Sequence, residues 1–303
     1  MSALDARNER SESAEADRSE KRDWAPVLLA APNLLWLGLF MAGALGVLAT
    51  MSFHGYEAGG RGILATWELT HYRAFLTDGF YLDVLVRSLL MSSYVTIGCL
   101  VLGFPLAYAL SQLRGGRRGL LYFAVLMPLL TSAVVRTFGW MILLSNNGFI
   151  NKSLIGMGLI KTPFPMMFRM TGIVIALTQV LLPFMVLALD AALLNIDRSL
   201  YEAARNLGAR APRIFFQVTL PLAMPGVVSG SVLVFALAIS AFVTPALIGG
   251  PRIPVMSTLI YQQGIALLNW PFGAAISLIM LAVLIVILFG ALGLSGRAAR
   301  RDA

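Results

Sequence analysis

Apolar residues along this chain gather into six long runs, at 27–50, 88–110, 119–144, 172–194, 222–248 and 271–294. About twenty consecutive apolar residues are what a helix needs to cross the hydrocarbon core of a bilayer, so each run predicts a membrane span. The polar segments between them are short, and no Gly/Ser linker divides the runs. The pattern therefore predicts an all-α integral membrane bundle of six transmembrane helices, with its core at 27–294. Residues 1–26 are rich in Ser, Glu, Asp and Arg and cannot bury a core, so they are expected to be a disordered tail. A second short tail is expected at 295–303. The first run is long enough to remain in the membrane as an uncleaved anchor.

Composition strengthens this picture. Of 303 residues 58% are hydrophobic and only 13% charged, and mean hydropathy is +0.80; a soluble domain carries about a quarter charged residues. The net charge of +8 could suggest nucleic acid, but its placement points elsewhere. If the N-terminus is inside, fifteen of the 23 Lys and Arg fall on the inner side, seven on the outer side, and Arg136 within a span. That bias follows the positive-inside rule, predicts both termini in the cytoplasm, and reports topology rather than nucleic-acid binding.

The outer segment 51–87 is the longest connection and mixes aromatics with acids, which predicts short helices at the surface. Turn signals at Asn147-Gly148, Pro163 and Pro165 bracket an amphipathic stretch in the second outer segment, and the third reads as a turn followed by a short helix. Pro32, Pro105, Pro128, Pro183 and Pro245 lie within runs, where neighbouring helices can satisfy the carbonyls a proline frees. Gly226 and Gly230 form a GxxxG spacing that favours close helix packing.

Candidate chemistry is sparse. The chain has no HExxH or GxSxG motif and no His/Cys/acid cluster within a span, so metal sites and a membrane-embedded enzyme are disfavoured. Cys99 is the only cysteine. None of Lys21, Lys152 and Lys161 follows a glycine, so a Walker-type ATP site is absent. Arg136 is the one charge near the middle of a span. It either serves a pathway, or snorkels or pairs with backbone carbonyls. Asp190, near the inner end of the fourth run, is expected to be solvated and structural. With no relay of Asp, Glu and His across the bilayer, a proton-driven carrier is disfavoured.

The segment 195–221 is a polar island in this apolar chain. Ser199 and Glu202 fit an S-x-x-E capping box. Leu200, Ala203, Ala204 and Leu207 then share one helical face, with Arg198, Glu202 and Arg205 opposite. Gly208 suits a left-handed helix end, and Pro212 suits the first turn of a second helix carrying Ile214, Phe215 and Val218. The prediction is helix, glycine turn, helix, presented outside the bilayer for docking.

Glu202-Ala203-Ala204, Gly208, Val218 and Leu220-Pro221 stand at the spacing of the cytoplasmic signature loop of ABC-importer permease subunits, with Val218 where Ile is usual. PLLTSAVVRTFGW, NNGFIN, LLPFMVLALDAAL, AFVTPALIGGP and NWPFGAA extend the resemblance, from about residue 24 to 294, to the spermidine/putrescine branch. The resemblance implies a multi-pass bacterial inner-membrane permease subunit without cofactor of its own. It implies a second homologous permease subunit, two ATP-binding subunits that hold ATP and Mg, an extracytoplasmic solute-binding protein, and membrane lipid as partners. It places the coupling interface at Glu202, Ala203, Ala204, Arg205, Gly208 and Pro212. A pathway between spans is expected to use Arg136, Tyr108, Trp140 and Phe242. A polyamine or related small solute is the expected cargo, with a stand-alone secondary carrier or channel as the alternative.

Overall fold

The computed structural model describes residues 25–57 and 62–299. Most of the predicted tail 1–26 and the last four residues lie outside them. The chain divides into two units, Met1–Thr50 and Met51–Ala303. The first is described by helix α1, Ala25–Ser52, which is apolar around its whole circumference, as a membrane-crossing helix must be.

The second unit opens with a feature absent from the sequence reading. Strands β1 (His54–Glu57) and β2 (Gly62–Trp67) pair antiparallel, so the expected run of short helices is in part a hairpin and the protein is helical with one two-stranded exception. Tyr56 in β1 and Ile63, Thr66 and Trp67 in β2, joined across a glycine-rich connection, favour that pairing locally. Phe53 stacks on Trp67 at 6.0 Å and meets Tyr72 at 5.4 Å, fastening the hairpin to α2 (Thr70–Thr77).

Helix α3, Gly79–Gln112, starts nine residues before the predicted span, because Asp78 caps it by accepting a hydrogen bond from the Phe80 N–H at 2.9 Å. After α3 come α4 (Gly116–Leu126), a 3-10 turn (Met127–Leu130), α5 (Ala133–Leu144) and α6 (Phe149–Gly156). Helix α7, Met170–Leu194, matches the fourth predicted run within two residues. Then follow α8 (Arg198–Asn206), α9 (Ala211–Ile214), a π turn (Phe215–Thr219), the short turn Leu220–Leu222, α10 (Met224–Ser240), α11 (Met256–Tyr261) and α12 (Trp270–Ala299).

Among the described residues, four helices are long and apolar enough to cross a membrane, and up to six spans result if two bent pairs each count as one. In the first pair, α4 with its 3-10 turn meets α5 and α6 at 97°. Thr131 and Ser132 are extended there and break the helix after Pro128. The Pro128 carbonyl beside that break accepts from the Thr131 N–H at 3.4 Å, from the Thr131 hydroxyl at 2.8 Å and from the Arg136 guanidinium. In the second pair the segment before Met224 meets α10 at 62°. At the far end of α10 the chain turns extended at Ala241, whose carbonyl accepts from the Ser257 hydroxyl at 2.7 Å. Water is scarce inside a bilayer, so side chains supply the bonds that the broken helices lose.

The core of this unit is the packing of α3, α7 and α10 around Met91, Val95, Cys99, Leu177, Met185, Leu189 and Val234. Gly226 and Gly230 bring α10 against α7 so closely that a Cβ at Gly226 would stand 2.5 Å from the Ala192 Cβ. The glycine pair is thus a packing device, as small-residue stripes in membranes commonly are. A second cluster, with Phe75, Val84, Met256, Leu259, Phe272 and Ile276, joins α2, α3, α11 and α12. Hydroxyls within α3 bond to carbonyls one turn back, as Ser92 to Ser88 and Thr96 to Ser92, while the Ser88 hydroxyl also accepts from the Met256 N–H at 2.8 Å. The helix α12 runs to Ala299, five residues beyond the expected end of the last span at 294.

Candidate functional site: an exposed helix–glycine–helix and the span ends beside it

Three residues beyond α7 the chain forms α8. Its cap is Asp197, whose carboxylate accepts from the Ser199 N–H at 2.9 Å. The backbone N–H of Ser199, and then its side chain, hold the Asp197 carboxyl below the usual carboxylate range. This corrects the predicted capping box. With Asp197 as cap, Ser199 is the second helical residue and Glu202 the fifth, too far along to reach back to the cap. Glu202 is exposed and makes no side-chain hydrogen bond among the described residues.

Helix α8 ends as its sequence predicts. Gly208 adopts φ +76°, its N–H bonds to the Arg205 carbonyl at 2.9 Å, and the Ala209 N–H bonds to the Ala204 carbonyl at 3.0 Å. Those paired bonds form a Schellman turn, which requires a left-handed residue at the glycine. Pro212 then sits in the first turn of α9, where its missing N–H costs nothing. Between the two arms lies an open cleft of about 250 Å³, lined by Ala204, Leu207 and Ala209 on one side and Arg213, Ile214, Gln217 and Val218 on the other. Leu207 is 88% exposed and Phe216 is exposed as well, so the element presents apolar side chains beside Glu202, Arg205 and Arg213. An exposed, preformed surface of mixed apolar and charged character is suited to a protein partner.

The arms are braced from below. Phe215, in the π turn, meets Phe104 at 5.4 Å and Tyr108 at 6.1 Å, both edge-on. Tyr108 therefore packs against the base of the loop. Of the other three predicted pathway residues, Arg136 and Trp140 lie one turn apart on α5 and Phe242 in the connection after α10. Trp140 donates its Nε1–H to the Gln179 Oε1 at 3.1 Å. Phe242 stacks on Tyr261 with ring centroids 4.8 Å apart. Arg136 gives its guanidinium to the Pro128 carbonyl, the carbonyl-pairing alternative, with its Nε buried and without a partner.

Sequence reasoning passed over Gln179, although an amide in the middle of an apolar run was its signal. It also misplaced Asp190, which is 1% exposed rather than solvated. Asp190 pairs with Arg118 at 3.0 Å and accepts from the Tyr122 hydroxyl. The residues are about seventy positions apart, and no spacing rule joins them. Thr137 of α5 and Thr244, just beyond α10, meet at 3.2 Å.

Fold and loop together define a class: a polytopic helical membrane protein with two sharply bent helix pairs and an exposed helix–glycine–helix element. The sequence pattern described as "binding-protein-dependent transport system inner membrane component" matches residues 24–301. The chain belongs to that family, and is a permease subunit and a multi-pass protein of a bacterial inner membrane. It is 39% identical over 211 residues to the spermidine/putrescine transport system permease protein PotB of Salmonella typhimurium (strain SL1344), covering 70% of this chain and 74% of that protein. It is 31% identical over 265 residues to the inner membrane ABC transporter permease protein YdcU of Escherichia coli (strain K12), covering 84% of each. In fold it resembles a chain of a bacterial ABC transporter involved in the import of the acidic polysaccharide alginate, with TM-score 0.73, 20% identity, and coverage of 93% of this chain and 99% of that one.

Proposed function

We propose that this permease subunit pairs with a homologous subunit around a solute pathway and is driven by two cytoplasmic ATP-binding subunits, with ATP and Mg held on those partners. A solute-binding protein outside the membrane delivers the cargo. On this reading each bent pair is a single span, the six spans put both termini in the cytoplasm, and the segment 195–221 docks on an ATP-binding subunit. The observation that carries it is the capped, glycine-turned helix pair at the end of α7, with Leu207 and Glu202 free to meet a partner. Glu202, Ala203, Ala204, Arg205, Gly208 and Pro212 form that interface.

The cargo is a polyamine or a related small solute, in line with the relatives' names. Arg136 is turned to the Pro128 carbonyl and so does not offer its full charge to a passing cation. Trp140 with Gln179, and Phe242 with Tyr261, supply amide and aromatic faces suited to ammonium groups. Tyr108 acts from the inner end, against Phe215.

The test is purification of the membrane complex followed by ATPase assay in proteoliposomes with the cognate binding protein and spermidine, putrescine or neither. Co-isolation of an ATPase that either polyamine stimulates is the expected result. Recovery of the subunit without any ATPase, still moving solute, would overturn it in favour of a stand-alone carrier.

A further inference from the structure

Asp190 is fully buried in α7, four residues before that helix ends and seven before the cap of α8. One of its carboxylate oxygens, Oδ2, receives both the Arg118 guanidinium at 3.0 Å and the Tyr122 hydroxyl. Its other oxygen, Oδ1, is buried without a hydrogen-bond partner. Arg118 and Tyr122 belong to α4 one turn apart, and the Arg118 guanidinium also lies 5.4 Å from the Tyr122 ring centre. Helix α4 itself buries no side chain completely; it rests on the core through the partly buried Leu121, Tyr122 and Val125. Its polar attachment to the bundle is thus this cluster, gathered on a single carboxylate.

We propose that Asp190, Arg118 and Tyr122 are positioning residues that carry displacement of the 195–221 element into the broken span formed by α4 and α5. The inference rests on the permease reading above. The route is mechanical. A push on α8 reaches Asp190 through the last turn of α7, because hydrogen-bonded helix transmits axial displacement. From Asp190 it passes to α4 through two charge-assisted bonds, which are short and directional. Helix α4 runs on into the 3-10 turn Met127–Leu130, where Arg136 of α5 holds the Pro128 carbonyl across the 97° bend. Coupling between distant sites needs such an element with two arrangements that both sites bias. The cluster is suited to one of them: Arg118 is 28% exposed, so its guanidinium can withdraw to the interface, whereas Asp190 cannot follow.

The experiment compares Asp190→Asn, Tyr122→Phe and the exchange Arg118→Asp/Asp190→Arg with the parent in the complete reconstituted complex. Spermidine uptake and ATP hydrolysis are measured in the same vesicles. For Asp190→Asn the expected result is assembly at parental yield, hydrolysis within about twofold of parental, and uptake per ATP lowered about tenfold, the size of an ordinary coupling term. Tyr122→Phe lowers the ratio less, and the exchange restores part of it. Uptake and hydrolysis falling together, or loss of assembly in Asp190→Asn and Tyr122→Phe alike, overturns the proposal in favour of a purely structural cluster. An unchanged ratio in Asp190→Asn overturns it too. A parental complex that takes up spermidine without hydrolysing ATP overturns instead the permease reading on which it rests.

Discussion

Gly208 shows how one residue sets the turn between two exposed helices. A Cβ there would meet nothing within 4 Å, so space is not the constraint; the left-handed φ of +76° is. For other residues that conformation costs roughly 1–2 kcal/mol, while asparagine tolerates it better. Gly208→Ala is therefore expected to loosen the turn and lower coupled transport, and Gly208→Asn to retain most of it, when uptake per ATP is measured. If Asn fails as fully as Ala, the partner needs a bare glycine surface and not merely the turn. Beside it, Glu202 has no capping duty, so Glu202→Gln and Glu202→Ala should impair coupling alike and leave helix content unchanged. Asp197 carries the cap instead. Its carboxyl is held below the ordinary range, so the cap is intact at neutral pH and above. It is lost as pH falls through that lowered value, since only the charged form is favoured by the Ser199 bonds. Protection factors of the first-turn amides of α8, corrected for intrinsic base-catalysed exchange, should hold steady between about pH 5 and 8 and fall only at acid pH, below the ordinary carboxylate range.

At the scale of elements, α7 is the axis of the second unit: α3 and α10 pack on it, and α8 follows it. Gly226 and Gly230 decide how close α10 comes. Gly226→Leu places a side chain where the Ala192 Cβ and the Ala188 carbonyl already lie, the latter 3.0 Å from a built Cβ. Overpacking of this kind costs about 1–3 kcal/mol or more, and a thermal-unfolding midpoint in detergent should fall accordingly. Gly290→Leu, in α12 with open space around it, should leave that midpoint nearly unchanged. The interrupted spans follow a related logic. Pro128 and the extended residues after it end one helix, and the Pro128 carbonyl is met by Thr131 and Arg136, so the break persists without water. A lone arginine in an apolar run was legible as a problem, and pairing with a backbone carbonyl was one reading of it; that the carbonyl is Pro128, eight residues earlier, only the structure decided.

For the whole molecule, the fold joins two kinds of surface. Apolar helix faces suit lipid or a second apolar helix bundle, and the exposed element at 195–221 suits a protein partner. The ATPase assay in proteoliposomes tests that division of labour directly. Stimulation by a loaded binding protein is expected only when α8, the Gly208 turn and α9 are intact.

Much of this was legible in the linear chain. Hydrophobic run length marked the four helices long and apolar enough to cross a membrane, because a bilayer demands it of any spanning helix, but not the bends in the other two runs. Local backbone chemistry marked the Gly208 turn and the placement of Pro212, since both depend on φ preferences of single residues. Where two local signals competed, pattern alone misled: Asp197 and Ser199 are both good caps, and the structure uses the earlier one. The hairpin of β1 and β2 was hidden because pairing depends on a partner strand and on α2 beneath it. Meetings between residues far apart in sequence belonged to the tertiary structure altogether. Asp190 with Arg118 and Tyr122, Trp140 with Gln179, and Gly226 against Ala192 exist only because α4, α5, α7 and α10 share one bundle. Spans and turns are thus properties of contiguous residues. The buried carboxylate cluster is a property of helix packing, which brings distant charges together where water cannot separate them.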